Sequence, residues 1–178
     1  MKYRRLTTKG ACYFFTLNLQ NRQQTLLTDH IDTLRNTINK VKHNHPFKLD
    51  ALVILPEHLH ILITLPRDDN NYAKRIMLIK TSFSRQLPKE ENISKSRKSK
   101  RKRGIWQRRY WEHQIRNDED YENHINYIHY NPVKHGYVNN ANEWQYSTIH
   151  QYIKQGVITQ NWGSENIMLT QDYGERNH

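Results

Sequence analysis

The sequence predicts an α+β fold, in which an antiparallel sheet carries helices on one face in a ferredoxin-like arrangement. Strand-like and helix-like segments follow one another in the order strand, helix, strand, strand, helix, strand, helix. Only two residues separate the second and third strands, which indicates an antiparallel hairpin. With 178 residues, the chain is long enough for one domain with a core and an appendage.

The elements are predicted from the spacing of apolar side chains. Runs of β-branched, aliphatic or aromatic residues predict four strands, at residues 11–19, 47–55, 58–65 and 110–115. Apolar residues at a period near four predict three helices, at residues 31–42, 68–87 and 121–131. Asn117 and the three acidic residues after it are typical of a helix start, and Pro132 is expected to end that last helix.

The third strand has two histidines on one face. Side chains two residues apart share a face of a strand, so Leu59 and Ile61 lie on an apolar face and His58 and His60 on the other. Because the apolar face must lie beneath the helices, the histidines are expected to line an open groove. Two imidazoles about 6–7 Å apart can converge on one cation or one phosphate. By spacing alone, two polar residues on a half-exposed strand are the commoner explanation. Glu57 either orients His58 or is a plain turn carboxylate.

The composition favours a polyanionic partner. The formal net charge is +11, from 28 Lys and Arg against 17 Asp and Glu, so nucleic acid is the first candidate partner and an anionic membrane surface the second. The sequence has no apolar run of membrane-spanning length and no signal-peptide pattern, so an intracellular protein without a membrane partner is expected. The single cysteine, Cys12, excludes an internal disulfide and a cysteine-based zinc knuckle.

Cationic residues that can contact phosphate lie in several parts of the chain. They are Arg4 and Arg5, the run Lys95, Arg97, Lys98, Lys100, Arg101, Lys102 and Arg103, then Arg108, Arg109 and Lys134. The run lies in a basic insertion at about residues 88–104 and predicts a solvated, mobile loop that binds nucleic acid. The aromatic residues of segment 106–116 suit base stacking, and burial of Trp106 and Trp111 in the core is an equally good explanation.

Several blocks of the sequence resemble the REP-associated tyrosine transposases, relatives of the single-strand insertion-sequence transposases in the HUH endonuclease superfamily. Three blocks carry most of the resemblance: LPEHLHILITLP (55–66), IWQRRYWEHQIRNDEDY (105–121) and HINYIHYNPVKHGYV (124–138). YFFTLNLQNR (13–22) and EWQYSTIHQY (143–152) are similar to flanking family blocks. The resemblance extends over most of the chain, and it implies the HUH endonuclease fold. We expect residues 1–131 to form the nuclease domain and residues 132–178 a C-terminal tail packed on it.

The resemblance also implies the roles of four residues. His58 and His60 match the two motif histidines that hold a divalent ion, Mg²⁺ or Mn²⁺. Tyr127 matches the nucleophilic tyrosine, and Asn131 matches a polar residue that is a third metal ligand in relatives. Spacing alone does not choose between Tyr127 and Tyr130. The carboxamide one helical turn later favours Tyr127.

The activity that the resemblance implies is that of a metal-dependent single-stranded DNA endonuclease and strand transferase. Its product would be a 5′-phosphotyrosine and a free 3′-OH. The implied substrate is a hairpin formed by a REP-like palindrome with a tetranucleotide on its 5′ side. A monomer or dimer acting in the cytoplasm, at the nucleoid, is expected. The alternatives are a non-catalytic module that binds DNA or RNA hairpins, and a zinc-stabilised RNA-binding protein.

Overall fold

The computed structural model describes residues 8–89, 103–163 and Tyr173, and a four-stranded sheet lies at its centre. The strands are β1 (Cys12–Asn18), β2 (Lys48–Ile54), β3 (His58–Thr64) and β4 (Trp111–Gln114). Their order across the sheet is β2-β3-β1-β4, and each neighbouring pair is antiparallel. The predicted α+β class and the antiparallel hairpin of β2 and β3 are therefore confirmed.

Helices connect and cover these strands. They are α1 (Leu26–Asp29), α2 (Ile31–Asn44), α3 (Tyr72–Gln86), α4 (Asp118–Lys134) and α5 (Ile149–Lys154). A short 3₁₀ helix, Ala141–Glu143, lies between α4 and α5. Among the residues that the structure describes, no helix is both long enough and apolar enough to cross a membrane.

The larger core lies between one face of the sheet and the pair α2 and α3. Odd-numbered residues 13–17 of β1 and 59–63 of β3 point into this core, where Phe15 and Ile61 are fully buried. Ile38 of α2 and Ile79 of α3 pack against them. This arrangement follows from the period-two pattern of the strands and the near-four period of the helices.

The opposite face of the sheet is covered by α4. Phe14 and Leu62 of the sheet meet Ile125 and Ile128 of α4 in a second, smaller core. The sequence predicts that all helices lie on one face of the sheet and that the histidine face is open. The prediction is correct for α2 and α3, but it is wrong for α4, which covers the histidine face. Apolar residues share that face with the histidines, and burying their surface favours a helix there.

Helix α4 begins as predicted and ends later than predicted. Asn117 caps it, because its side-chain oxygen accepts a hydrogen bond from the backbone N–H of Asp120 at 2.8 Å. The helix does not end at Pro132 but continues to Lys134. Proline has no backbone N–H, so Pro132 removes one hydrogen bond from the helix. The loss is tolerated because Pro132 lies at the last turn, and the backbone N–H of His135 still donates to the backbone oxygen of Asn131.

A bulge in β2 connects the sheet to the start of α4. The pairing of β2 with β3 shifts between Leu49 and Ala51, so Asp50 is the extra residue. Its buried carboxylate accepts hydrogen bonds from the hydroxyl groups of Thr64, at 2.6 Å, and Tyr121, at 3.0 Å. Tyr121 is in the first turns of α4, so this contact fixes where the helix begins on the sheet.

The segment after α4 lies along the edge strand β2. The backbone N–H of Ile54 donates to Tyr146, and the backbone N–H of Thr148 donates to Leu52, each at 2.9 Å. These bonds satisfy backbone groups at an edge that would otherwise lack a neighbour. The predicted division of the chain after residue 131 falls inside α4 and stays a prediction.

Truncating a buried and an exposed side chain of α3 should show how differently the two contribute to the free energy of unfolding. We expect Ile79→Ala to lower the free energy of unfolding by about 2–5 kcal/mol, because it opens a cavity in the larger core. Met77→Ala, two residues away and 53 % exposed, should change it by less than about 0.5 kcal/mol. Urea denaturation measures both values. Equal losses for the two variants would contradict the packing described above.

Candidate active site

The two histidines of β3 lie beneath α4, and neither side chain is exposed to solvent. The Nδ1 atom of His58 is 2.8 Å from Oε1 of Glu57. The Nδ1 atom of His60 is 2.8 Å from the hydroxyl oxygen of Thr16, its partner on β1. Because that hydroxyl donates its proton to the backbone oxygen of Tyr173, it accepts from His60. Both imidazoles therefore donate through Nδ1, and Nε2 is the ring nitrogen that can act as a metal ligand.

Glu57 is a buried, charged residue that orients His58. Burial raises the pKa of Glu57, but the hydrogen bond with His58, a backbone hydrogen bond and the nearby charge of Arg22 hold that pKa below its usual value. The Tyr137 hydroxyl donates to the other carboxylate oxygen at 3.3 Å. Burial, together with the charge of Glu57, raises the pKa of Tyr137 to about 12, so this hydroxyl remains a donor. The guanidinium of Arg22 lies 3.5 Å from Oε1 of Glu57.

Helix α4 brings Tyr127 and Asn131 to the histidines. Both side chains are fully buried, and they lie one turn apart on the same face of the helix. The ring of Tyr127 meets the ring of His60 edge to face, with 5.2 Å between centroids. The rings of His58 and His60 are 4.9 Å apart. One tyrosine and two imidazoles thus meet between α4 and β3, and the buried carboxamide of Asn131 lies one helical turn from the tyrosine.

The other candidate tyrosine points elsewhere. The ring of Tyr130 lies beside Gly163, where an added Cβ would come within 3.4 Å of it. Gly163 follows α5 in the chain, so Tyr130 contributes to the packing of that segment. The geometry therefore brings Tyr127 to the histidine pair and directs Tyr130 toward the C-terminal segment.

Lys134 reaches back to the tyrosine from the last turn of α4. Its Nζ atom donates a hydrogen bond to the phenol oxygen of Tyr127 at 3.1 Å, and it lies 4.8 Å from the centre of the ring. The two residues are seven apart, so they lie on the same face of the helix. Lys134 is a predicted phosphate contact, and the structure adds a direct contact with the phenol oxygen of Tyr127.

The donor set fits a divalent cation. Two neutral imidazoles oriented through Nδ1, together with the carboxamide oxygen of Asn131, are ligands that Mn²⁺ accepts readily. A site with more oxygen ligands would suit Mg²⁺ better. His58, His60 and Asn131 are the residues that could hold such an ion.

A second group of ligand-bearing side chains lies near the start of α4. It consists of His113, Asp120 and His124, whose ligand atoms all lie within 4.8 Å of one another. The two imidazole rings are stacked, with 4.7 Å between centroids and 11° between planes. In-plane lone pairs of nearly parallel rings do not meet on one ion, so binding by both would require one ring to rotate. As it stands, the group connects β4 to α4, since His113 bonds to the carboxylate of Asp120 at 2.8 Å.

Only part of the predicted DNA-contacting set lies within the described residues. Arg108 and Arg109 are exposed just before β4. Arg103 donates to backbone oxygens at the end of α3, including that of Leu87 at 2.9 Å, which gives it a structural contact. The remaining predicted contacts lie outside the described residues: Arg4, Arg5, Lys95, Arg97, Lys98, Lys100, Arg101 and Lys102.

Thr16 and Tyr137 belong to this site but were not predicted from the sequence. Thr16 bonds to His60 only because β1 pairs with β3 in one particular register, which no local pattern in the sequence reveals. Tyr137 reaches Glu57 because α4 continues past Pro132. These two residues, which contact His60 and Glu57, can therefore be identified only from the tertiary structure.

Comparison with known proteins identifies the family to which the chain belongs. Residues 7–131 match the family model described as "Transposase IS200 like". A Haemophilus influenzae protein assigned to the REP-associated tyrosine transposases is 49% identical over 162 residues, covering 90% of this chain and 92% of that protein. The REP-associated tyrosine transposase of Escherichia coli is 40% identical over 164 residues, covering 92% of each chain.

A solved structure supports the same relationship. It is a REP-associated tyrosine transposase bound to a REP hairpin, and it superposes on this chain with a TM-score of 0.84 at 39% identity. The match covers 100% of this chain and 99% of that one. The chain therefore belongs to the IS200-like transposase family, among the REP-associated tyrosine transposases, and is an enzyme of the transposase class.

Proposed function

We propose that this transposase is a metal-dependent endonuclease and strand transferase for single-stranded DNA that acts through a 5′-phosphotyrosine. The observation that carries the proposal is the contact between Tyr127 of α4 and His60 of β3, with Asn131 one turn away. Membership of the transposase family supports it independently. In this proposal Tyr127 is the nucleophile, and His58, His60 and Asn131 hold the ion.

The ion, Mg²⁺ or Mn²⁺, would polarise the scissile phosphate and offset the negative charge that develops during attack. The phenol oxygen of Tyr127 forms the new bond to phosphorus as the bond from phosphorus to the 3′ oxygen breaks. The phenol proton goes to water, and the departing 3′ oxygen takes a proton from water. Because the phosphotyrosine conserves the bond, a second 3′-OH can reverse the step and join strands.

Lys134 supplies a second positive charge in this proposal. A phenol with a pKa near 10 is a weak nucleophile at neutral pH, and an ammonium group at its oxygen favours the charge that develops there. The ammonium already lies 3.1 Å from that oxygen, so no rearrangement is needed to bring it close. Lys134 would therefore act on the reaction as well as on DNA binding.

Hairpin DNA is the proposed substrate. The related structure is bound to a REP hairpin, and this chain has a net charge of +11 with exposed Arg108 and Arg109 near β4. Positive side chains that contact phosphates release counterions, which favours binding. We propose a REP-like palindrome with a tetranucleotide 5′ of the hairpin, bound by a monomer or a dimer at the nucleoid in the cytoplasm.

Exchange of Tyr127 tests the reaction class. With labelled single-stranded hairpin DNA carrying its flanks, we expect a covalent protein–DNA band on a denaturing gel that requires Mg²⁺ or Mn²⁺ and disappears with EDTA. Tyr127→Phe should abolish the band, because it removes the phenol oxygen that forms the bond. Tyr130→Phe is the matched control and should retain it.

The other outcomes of that assay are equally informative. A band that persists in Tyr127→Phe and disappears in Tyr130→Phe would contradict the assignment of the nucleophile. Tight hairpin binding without an adduct under any metal condition would contradict the enzymatic proposal and favour a non-catalytic hairpin-binding module.

Neutralising Glu57 tests the metal site. Glu57→Gln keeps an acceptor oxygen beside Nδ1 of His58 but removes the negative charge, so we expect Mn²⁺ affinity to fall by about 10- to 100-fold. Titration calorimetry with Mn²⁺ measures this directly. Asp68→Asn makes the same chemical change on an exposed residue and should leave the affinity unchanged. Equal Mn²⁺ affinity in Glu57→Gln and the native protein would contradict a role for the charge of Glu57 in metal binding.

Removing the charge of Lys134 tests its role in the reaction. We expect Lys134→Met to slow single-turnover cleavage by about 10²-fold, with Lys134→Arg retaining much of the rate. The dissociation constant for DNA should change only a few-fold, since one phosphate contact is lost. Lys154→Met, at the exposed end of α5, serves as the control. A change in DNA affinity that accounts for the whole effect would make Lys134 a binding residue alone.

A further inference from the structure

Trp111 is an exposed aromatic residue on the same sheet face as the candidate active site. Its side chain is 46 % exposed, whereas Trp106, five residues earlier, is 9 % exposed and belongs to the larger core. From the sequence alone, burial in the core and base stacking are equally good explanations for the two tryptophans. The structure separates them, because Trp106 packs on Phe83 and Trp111 begins the edge strand β4.

The pairing of the strands shows on which face Trp111 lies. Thr16 is the partner of His60 on β3 and of Trp111 on β4, so these three residues form one row across the sheet. Partners in an antiparallel pair project to the same face. Thr16 points to the histidine face, since its hydroxyl bonds to His60. His113, two residues after Trp111, also points there and stacks on His124 of α4.

The distance along this row suits a short stretch of DNA. Neighbouring strands are about 4.8 Å apart, so Trp111 is about 10 Å from His60. One nucleotide of a stacked strand advances about 3.4 Å, so this distance corresponds to about three nucleotides or fewer. The exposed Arg108 and Arg109 lie within three residues of Trp111 and can contact the backbone of the same strand.

We infer that Trp111 is a stacking platform for an unpaired nucleobase within about three nucleotides of the phosphate that Tyr127 attacks. This inference rests on the proposed function. A tryptophan ring offers a large face for any base, and only an unpaired base can expose its own face to it. The net charge of +11 and the two arginines favour a nucleic acid over an apolar protein surface as the occupant. Trp111 therefore binds the single-stranded flank rather than the paired stem.

The test is a cycle of protein and DNA changes in the Tyr127→Phe background, where no cleavage takes place. Fluorescence anisotropy measures the dissociation constant for hairpin DNA with its flanks, intact or with one abasic nucleotide moved through every flank position. We expect Trp111→Ala to weaken binding of intact DNA by at least about fivefold. At one flank position or two neighbouring ones, the abasic change should raise the dissociation constant of the protein that retains Trp111. The same change should leave the dissociation constant of the Trp111→Ala variant unaltered.

Three controls sharpen the result. Trp111→Phe should recover most of the affinity, which also guards against misfolding of the alanine variant. Met77→Ala, an exposed apolar residue on α3, should bind like the parent. A hairpin without flanks should bind Trp111→Ala and the parent equally. If abasic changes act alike in both proteins at all positions, or if the flankless hairpin shows the full loss, the inference is wrong.

The result is independent of the reaction itself. If an abasic change at one flank position weakens binding only when Trp111 is present, and no Tyr127-dependent adduct forms, the stacking role is supported and the proposed reaction is contradicted. If the adduct forms and no flank position shows this dependence on Trp111, the reaction is supported and the stacking role is contradicted.

Discussion

Two imidazoles buried on one face of a sheet need fixed hydrogen-bond partners, and this need determines much of the surrounding structure. A buried polar group without a partner costs free energy, so His58 and His60 each require an acceptor for Nδ1. The turn before β3 supplies Glu57, and β1 supplies Thr16. A slip of β1 by one residue would place Leu17 opposite His60 and turn Thr16 away from it. The register of β1 on β3 is therefore a condition for the site as well as for the core.

Polar contacts also fix α4, which holds the tyrosine. Tyr121 bonds to the bulged Asp50, and Nε2 of His129 lies 3.1 Å from the hydroxyl oxygen of Thr148. Burial lowers the pKa of His129 to about 3, so this imidazole remains neutral and keeps its contact across the working pH range. Directional bonds limit sliding and rotation of a helix more than apolar packing does. If Tyr127 is the nucleophile, as proposed, a displacement of about one ångström would cost much of the rate, so this restraint would bear directly on the reaction.

Much of this arrangement was predictable from sequence because it depends on local pattern. The strand containing His58 and His60, its hairpin with β2 and the capped start of α4 all follow from spacing or capping chemistry. The position of α4 over the histidines does not. Its buried face includes His124, His129 and Asn131, so apolar periodicity identifies only part of that face. The contact of Thr16 with His60 depends on the register of β1 on β3, and the contact of Tyr137 with Glu57 depends on the continuation of α4 past Pro132. Both are properties of the tertiary structure.

The exposure of the site residues increases from its centre to its rim. His58, His60, Tyr127 and Asn131 are fully buried, whereas Lys134 and Trp111 are exposed. Folding has therefore already removed the central groups from water and oriented them, so the proposed attack by Tyr127 would need little reorganisation. In the proposed function, the rim residues remain in water until DNA binds, and their contacts would then align the strand. This division would allow a small domain to combine a rigid, dry centre with a surface for the flexible, highly charged DNA that we propose as its substrate.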